Sequence, residues 1–157
     1  PTMYKRILVS IDGSPTSNKG LDEAAMLAQV CDAELRLIHI VDPIPFTVGY
    51  EAFGRNTGKE ITAIENAGQA LLDAGKQRAM AAGATKVETV LVERAAARIS
   101  ERIVEQATDW DAQLIVIGTH GRRGVGRLLL GSDAEQTMRI APVPVLLVRS
   151  PDDATTA

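Results

Sequence analysis

Ile7-Leu8-Val9-Ser10-Ile11-Asp12-Gly13-Ser14-Pro15 decides the architecture, because it passes from strand chemistry to helix chemistry in one short stretch. The apolar, β-branched residues up to Ile11 favour a pleated, buried strand. Asp12-Gly13 interrupts it, and Ser14 offers a side-chain oxygen to the free amides of a helix start. Pro15 suits the first helical position, where its missing N–H costs nothing. Leu21, Ala24, Ala25, Ala28 and Cys31 then recur at helical spacing, so this helix is expected to close near residues 30–32.

The same alternation continues along the chain. Leu35-Arg36-Leu37-Ile38-His39-Ile40-Val41 reads as a second strand, mostly apolar, as a sheet covered on both faces requires. Residues 42–58 hold prolines and glycines and read as a long loop, a candidate lid. A helix follows over residues 60–82, with Ile61, Ile64, Leu71, Leu72 and Ala79 as its apolar stripe and Gly83 as its cap. Val87-Glu88-Thr89-Val90-Leu91-Val92 is a third strand, residues 96–108 a third helix, and Leu114-Ile115-Val116-Ile117-Gly118 a fourth strand. A glycine-rich loop leads to a helix over residues 132–140, and Val143-Pro144-Val145-Leu146-Leu147-Val148 closes the series as a fifth strand. Strands that alternate with helices form parallel sheets with helices on both faces, so the expected fold class is doubly wound α/β. One domain over residues 1–150 is expected, with a disordered tail after it.

Composition narrows the partners. Hydrophobic residues make up 45% of the 157 and charged residues 24%, enough for one core in an ordinary globular chain. The aromatic share of 3% leaves little stacking surface for single-stranded nucleic acid. The net charge of -3 opposes general attraction to a phosphate backbone or an anionic membrane. Nucleic acid is therefore not an expected partner. No apolar run approaches the roughly 18 residues of a membrane span, and the first residues lack a signal peptide's layout. No membrane insertion and a cytoplasmic location are expected. Cys31, the single cysteine, rules out an internal disulfide and is expected to be a small buried hydrophobe. His39 is expected to be a hydrogen-bonded core residue rather than a ligand.

The stretch richest in chemistry is Gly118-Thr119-His120-Gly121-Arg122-Arg123-Gly124-Val125-Gly126-Arg127-Leu128-Leu129-Leu130-Gly131-Ser132. It leaves a strand and opens a helix. Glycine there lets backbone N–H groups approach a phosphate, and the helix start adds a favourable dipole. Ser132 adds a hydroxyl, and three arginines with no acid make the loop cationic. The spacing contains neither the Rossmann G-x-G-x-x-G nor the lysine of a P-loop.

Gly118-x2-Gly121-x9-Gly131-Ser132 resembles the G-x2-G-x9-G-S/T motif of the ATP-binding branch of the universal stress proteins. The resemblance extends to Ile7-Leu8-Val9-Ser10-Ile11-Asp12-Gly13-Ser14, Leu37-Ile38-His39-Ile40-Val41 and Ala141-Pro142-Val143-Pro144-Val145-Leu146-Leu147-Val148. It implies a five-stranded sheet of order 3-2-1-4-5 and an adenine-nucleotide site at its switch point, between strands 1 and 4. By the same resemblance, Asp12 matches an aspartate at the adenine edge, beside Ser10 and Ile11, and Ile40 an apolar residue on the adenine wall. Gly118 and Gly121, with His120 and Arg122, fall at the ribose and phosphates, while Gly131 and Ser132 match the phosphate-cradling pair. The implied cofactor is ATP, or ADP or AMP, with Mg²⁺ or Mn²⁺. Valine at Gly118 or Gly131 is expected to crowd the ribose or a phosphate. Where the family often has a Gly-x-Pro or Gly-x-Ala turn, this chain reads Arg94-Ala95-Ala96, and Arg94 either adds charge near the crevice or faces solvent.

The function expected is a dimeric, nucleotide-dependent sensor or switch in stress response, acting on an unidentified protein partner. A slow ATPase and a dimerisation module without nucleotide dependence are the alternatives. No nucleophile, base and orienter set is visible, so at most slow hydrolysis is expected. The fifth strand, Val143 to Val148, is apolar and lies at an open edge, which invites pairing with a second copy.

Overall fold

The computed structural model describes residues 3–43, 57–120 and 130–150. In chain order it comprises β1 (Arg6–Ser10), α1 (Pro15–Cys31), β2 (Glu34–Val41), α2 (Thr57–Ala81), β3 (Lys86–Glu93), α3 (Ile99–Asp109), β4 (Leu114–Gly118), α4 (Ser132–Ile140) and β5 (Val145–Val148). All neighbouring strands pair in parallel, in the order β3-β2-β1-β4-β5. β1 lies at the centre, with Ile7 beside Leu35 and Leu114, and Val9 beside Leu37 and Val116.

Because side chains alternate along a strand, this register sorts the apolar residues into two cores. Ile7, Val9, Ile11, Leu35 and Leu37 pack with Leu21 of α1 and Leu72 of α2 on one face. Leu8, Ile38, Ile115 and Ile117 pack with Ile103 of α3 and Ala134 of α4 on the other. Trp110 closes the end of α3, with the Arg36 guanidinium 4.6 Å above its ring.

The helix start anticipated after β1 forms as its residue chemistry demands. The Ser14 hydroxyl accepts the Ser17 N–H at 3.2 Å, and Pro15 opens α1. Ala24, Ala25 and Ala28 are buried, and their small side chains let α1 lie close on the sheet. Cys31 is half-buried against the same core. In α2 only Leu72 and Ala79 of the expected stripe become fully buried, while Ile61, Ile64 and Leu71 are half-buried. The tightest contacts belong instead to two glycines on one face. A β-carbon at Gly68 would stand 2.7 Å from Leu91 Cδ1, and one at Gly75 would stand 2.7 Å from Ile11 Cδ1. Arg78 of α2 clasps both carboxylate oxygens of Asp22 in α1, at 2.7 and 2.8 Å, and this hydrogen bonding lowers the Asp22 pKa.

Three boundaries differ from the sequence reading by two residues or more. α2 begins at Thr57, within the stretch assigned to the loop, and residues 44–56 of that loop lie outside the described residues, as does the tail from residue 151. β5 begins at Val145 rather than Val143, because Pro142 and Pro144 have no N–H for a ladder. Only the Pro144 carbonyl takes part, accepting the Ile115 N–H at 3.0 Å. α3 begins at Ile99 rather than Ala96, since Ala95 and Ala96 are both left-handed, with φ of 50° and 62°. Side chains hold that turn together. Arg94 Nε donates to the Ala97 carbonyl at 2.8 Å, Arg102 Nε donates to the Arg94 carbonyl at 3.0 Å, and the Glu101 carboxylate accepts the Arg98 N–H at 2.9 Å.

Left-handed backbone costs an alanine about 1 kcal/mol, which glycine avoids at the expense of extra freedom when unfolded. Ala96→Gly is accordingly expected to stabilise the fold by about 0.5 kcal/mol, read as a higher urea midpoint with an unchanged slope. A lower midpoint would mean that the turn is not strained.

Candidate functional site

The switch point lies where β1 and β4 run side by side and their following helices leave in opposite directions. Its floor is a backbone contact. A β-carbon on Gly118 would stand 3.0 Å from the Thr16 carbonyl carbon and 3.1 Å from the Ser17 nitrogen, so the end of β4 packs tightly on the first turn of α1. From there Thr119 joins three elements. Its N–H donates to Val148 at the end of β5, at 2.9 Å, and its carbonyl accepts the Gly131 N–H at 2.7 Å. Gly131 occupies the cap of α4, its own carbonyl accepting the Glu135 N–H at 2.9 Å. The two ends of the glycine loop thus meet at Thr119, just beyond β4, although Gly121 and Arg122 lie outside the described residues.

Across the crevice, the turn after β1 is tied to α1. Asp12 N–H donates to the Ser17 hydroxyl at 3.0 Å, and Asp12 Oδ1 accepts the Ser14 N–H at 2.9 Å. Asp12 is therefore presented at the carboxyl end of β1, bonded to Ser17, whose backbone adjoins Gly118. Ser10, half-buried, is the last paired residue of β1, opposite Ile38. Ile11 and Ile40 are not brought together as side chains: Ile11 is buried toward α2, whereas Ile40 packs with the α3 and α4 core. His120 is half-buried, with Nδ1 3.0 Å from the Thr119 hydroxyl. Ser132 is exposed at the first position of α4, which also carries Asp133 and Glu135 in its first turn. Those carboxylates oppose an anion at this helix end, although Glu135 is paired with Arg139 at 2.9 Å.

After β3, Arg94 reaches both toward Asp42, with Nη1 3.6 Å from its carboxylate, and back to its own turn. Among the described residues no group of three or more His, Cys, Asp or Glu could hold a metal, and no helix is long and apolar enough to cross a membrane. Ser17 and Thr119 went unnoticed in the sequence, yet each binds a backbone group of the site. The serine three residues beyond Ser14 was the available signal for the first, and Thr119 carried none, since it acts through its backbone.

A profile of the universal stress protein family matches residues 3–149. The chain belongs to this family. A universal stress protein of Methanocaldococcus jannaschii is 38% identical over 151 residues, spanning 95% of this chain and 84% of that one. One from Thermus aquaticus is 32% identical over 94% of this chain and all of its own. Among solved structures, a family protein from Burkholderia pseudomallei is 31% identical with a TM-score of 0.74, covering 96% of this chain and 99% of its own. A universal stress protein in complex with cAMP is 27% identical with a TM-score of 0.68, over 93% and 97%.

In this universal stress protein, Gly118 and Gly131 also pack tightly against the protein's own backbone, so valine there would act on the fold as well as on a ligand. A β-carbon at Gly131 would stand 2.9 Å from the Thr119 carbonyl oxygen. Gly118→Ala is expected to cost about 1–3 kcal/mol of stability by overpacking against α1. Denaturation without nucleotide measures this, and parental stability would show that α1 can yield.

Proposed function

We propose that this universal stress protein binds an adenine nucleotide, ATP or its products ADP and AMP, at the carboxyl ends of β1 and β4. The observation that carries this proposal is a chain of contacts between distant segments: Asp12 and Gly118 both adjoin Ser17, and Gly131 bonds Thr119, the residue after Gly118. Backbone that approaches this closely leaves glycine surface toward a ligand at the switch point of a parallel sheet. Support also comes from the similar protein in complex with cAMP, which carries an adenine ring and a phosphate.

Asp12 then recognises the adenine edge beside Ser10, with Ile40 on the wall and Ile11 supporting the Asp12 turn from the opposite core. Gly118, His120, Gly121 and Arg122 adjoin the ribose and phosphates, and Gly131 and Ser132 cradle the last phosphates. Mg²⁺ or Mn²⁺ held on those phosphates, with the loop arginines, offsets the carboxylates of Asp133 and Glu135. The bound nucleotide acts as a state signal in a cytoplasmic dimer, with at most slow hydrolysis. An exposed Leu146 at the free edge of the sheet supports pairing of β5 with a second copy.

Calorimetry is expected to find ATP binding that Asp12→Ala weakens about tenfold or more, as loss of a charged hydrogen-bonding group predicts. Parental affinity in that variant would overturn the assignment of Asp12. Single-turnover hydrolysis at roughly 1–100 per second, typical of kinases, would make the protein an enzyme instead. Light scattering is expected to give a dimer that Leu146→Asp converts to monomer, and a monomeric parent at micromolar concentration would exclude edge pairing.

A further inference from the structure

The paired register of β1 and β2 ends at Ser10 opposite Ile38, followed by one further backbone bond from Ile11 N–H to the Ile38 carbonyl at 2.9 Å. The Ile11 carbonyl, the next acceptor along, is met by a side chain. His39 Nδ1 lies 2.7 Å from it. A carbonyl oxygen only accepts, so Nδ1 carries the hydrogen, which fixes the tautomer of the neutral ring. The imidazole has little freedom to leave. Its Cδ2 lies 3.3 Å from where a β-carbon of Gly68 would stand, so α2 closes over the ring edge.

The Ile11 carbonyl and the Asp12 N–H belong to one peptide plane, and that N–H is bound by the Ser17 hydroxyl at 3.0 Å. Both polar atoms of the peptide are therefore gripped by side chains from different elements, His39 on β2 and Ser17 on α1. Rotating the plane would break both bonds at once, and this plane sets the direction in which the Asp12 side chain leaves the backbone.

We propose that His39 is a positioning residue of the nucleotide site, clamping the Ile11–Asp12 peptide so that Asp12 is aimed for adenine and against other bases. This rests on the nucleotide function proposed above. A histidine that merely filled the core would affect stability without affecting base choice.

Two variants separate these roles. In His39→Asn the side-chain amide nitrogen falls where Nδ1 lies and can still donate to Ile11, whereas His39→Leu keeps the bulk and loses the donor. Calorimetry with ATP and GTP is expected to give a preference for ATP that His39→Leu reduces about tenfold, the scale of one hydrogen bond, and that His39→Asn restores to within about threefold of the parent. In the nucleotide-free protein, amide exchange of the Asp12 N–H is expected to speed up in His39→Leu beyond any change in global stability, and to return toward parental in His39→Asn. A folded His39→Leu variant with the parent's base preference overturns the proposal, as does an asparagine variant no better than leucine. A parent that binds no adenine nucleotide overturns the function proposed above. The clamp is then judged by Asp12 exchange alone, and an unchanged rate in His39→Leu overturns it.

Discussion

The approach of Gly118 to the first turn of α1 is the contact on which the carboxyl end of the sheet depends. With 3.0 Å between a would-be β-carbon and the Thr16 carbonyl carbon, the end of β4 and the start of α1 share one surface instead of standing a side chain apart. That closeness brings the start of α1, the Asp12 turn bonded to it and Thr119 together at the carboxyl end of the sheet. A larger residue at 118 would push α1 outward, and the crevice would widen with it.

A second layer of support comes from α2. Gly75 lets it rest on Ile11 and Gly68 lets it rest beside His39, the residues directly behind the Asp12 turn. The site is thereby backed by packing on one face, while Thr119, bonded to both β5 and Gly131, anchors its other wall. Binding surfaces need such rigidity, because a turn free to swing would spend part of the ligand's binding free energy on being ordered.

The fold could be read from local chemistry wherever that chemistry acted within a few residues. Ser14, Pro15 and the alanines of α1 are arranged as their sequence implies, since a cap and a helical stripe involve near neighbours only. The reading failed where local signals competed with the turn and with proline. Ala95-Ala96-Ala97 has strong helical propensity yet forms a left-handed turn, held by Arg94 and Arg102 from either side, and Pro144 delays β5.

For the site, the sequence by itself determined the alternation of strands and helices, and hence a parallel sheet with a switch point. It also marked Asp12, Gly118 and Gly131 as residues of unusual character. Only the tertiary structure decided that Gly118 and Gly131 pack tightly on the protein's own backbone, that Ile11 and Ile40 face opposite cores, and that His39 and Ser17 grip one peptide. The physical reason is range: caps and stripes act between residues a turn apart, whereas these contacts join atoms that meet only after the sheet has assembled.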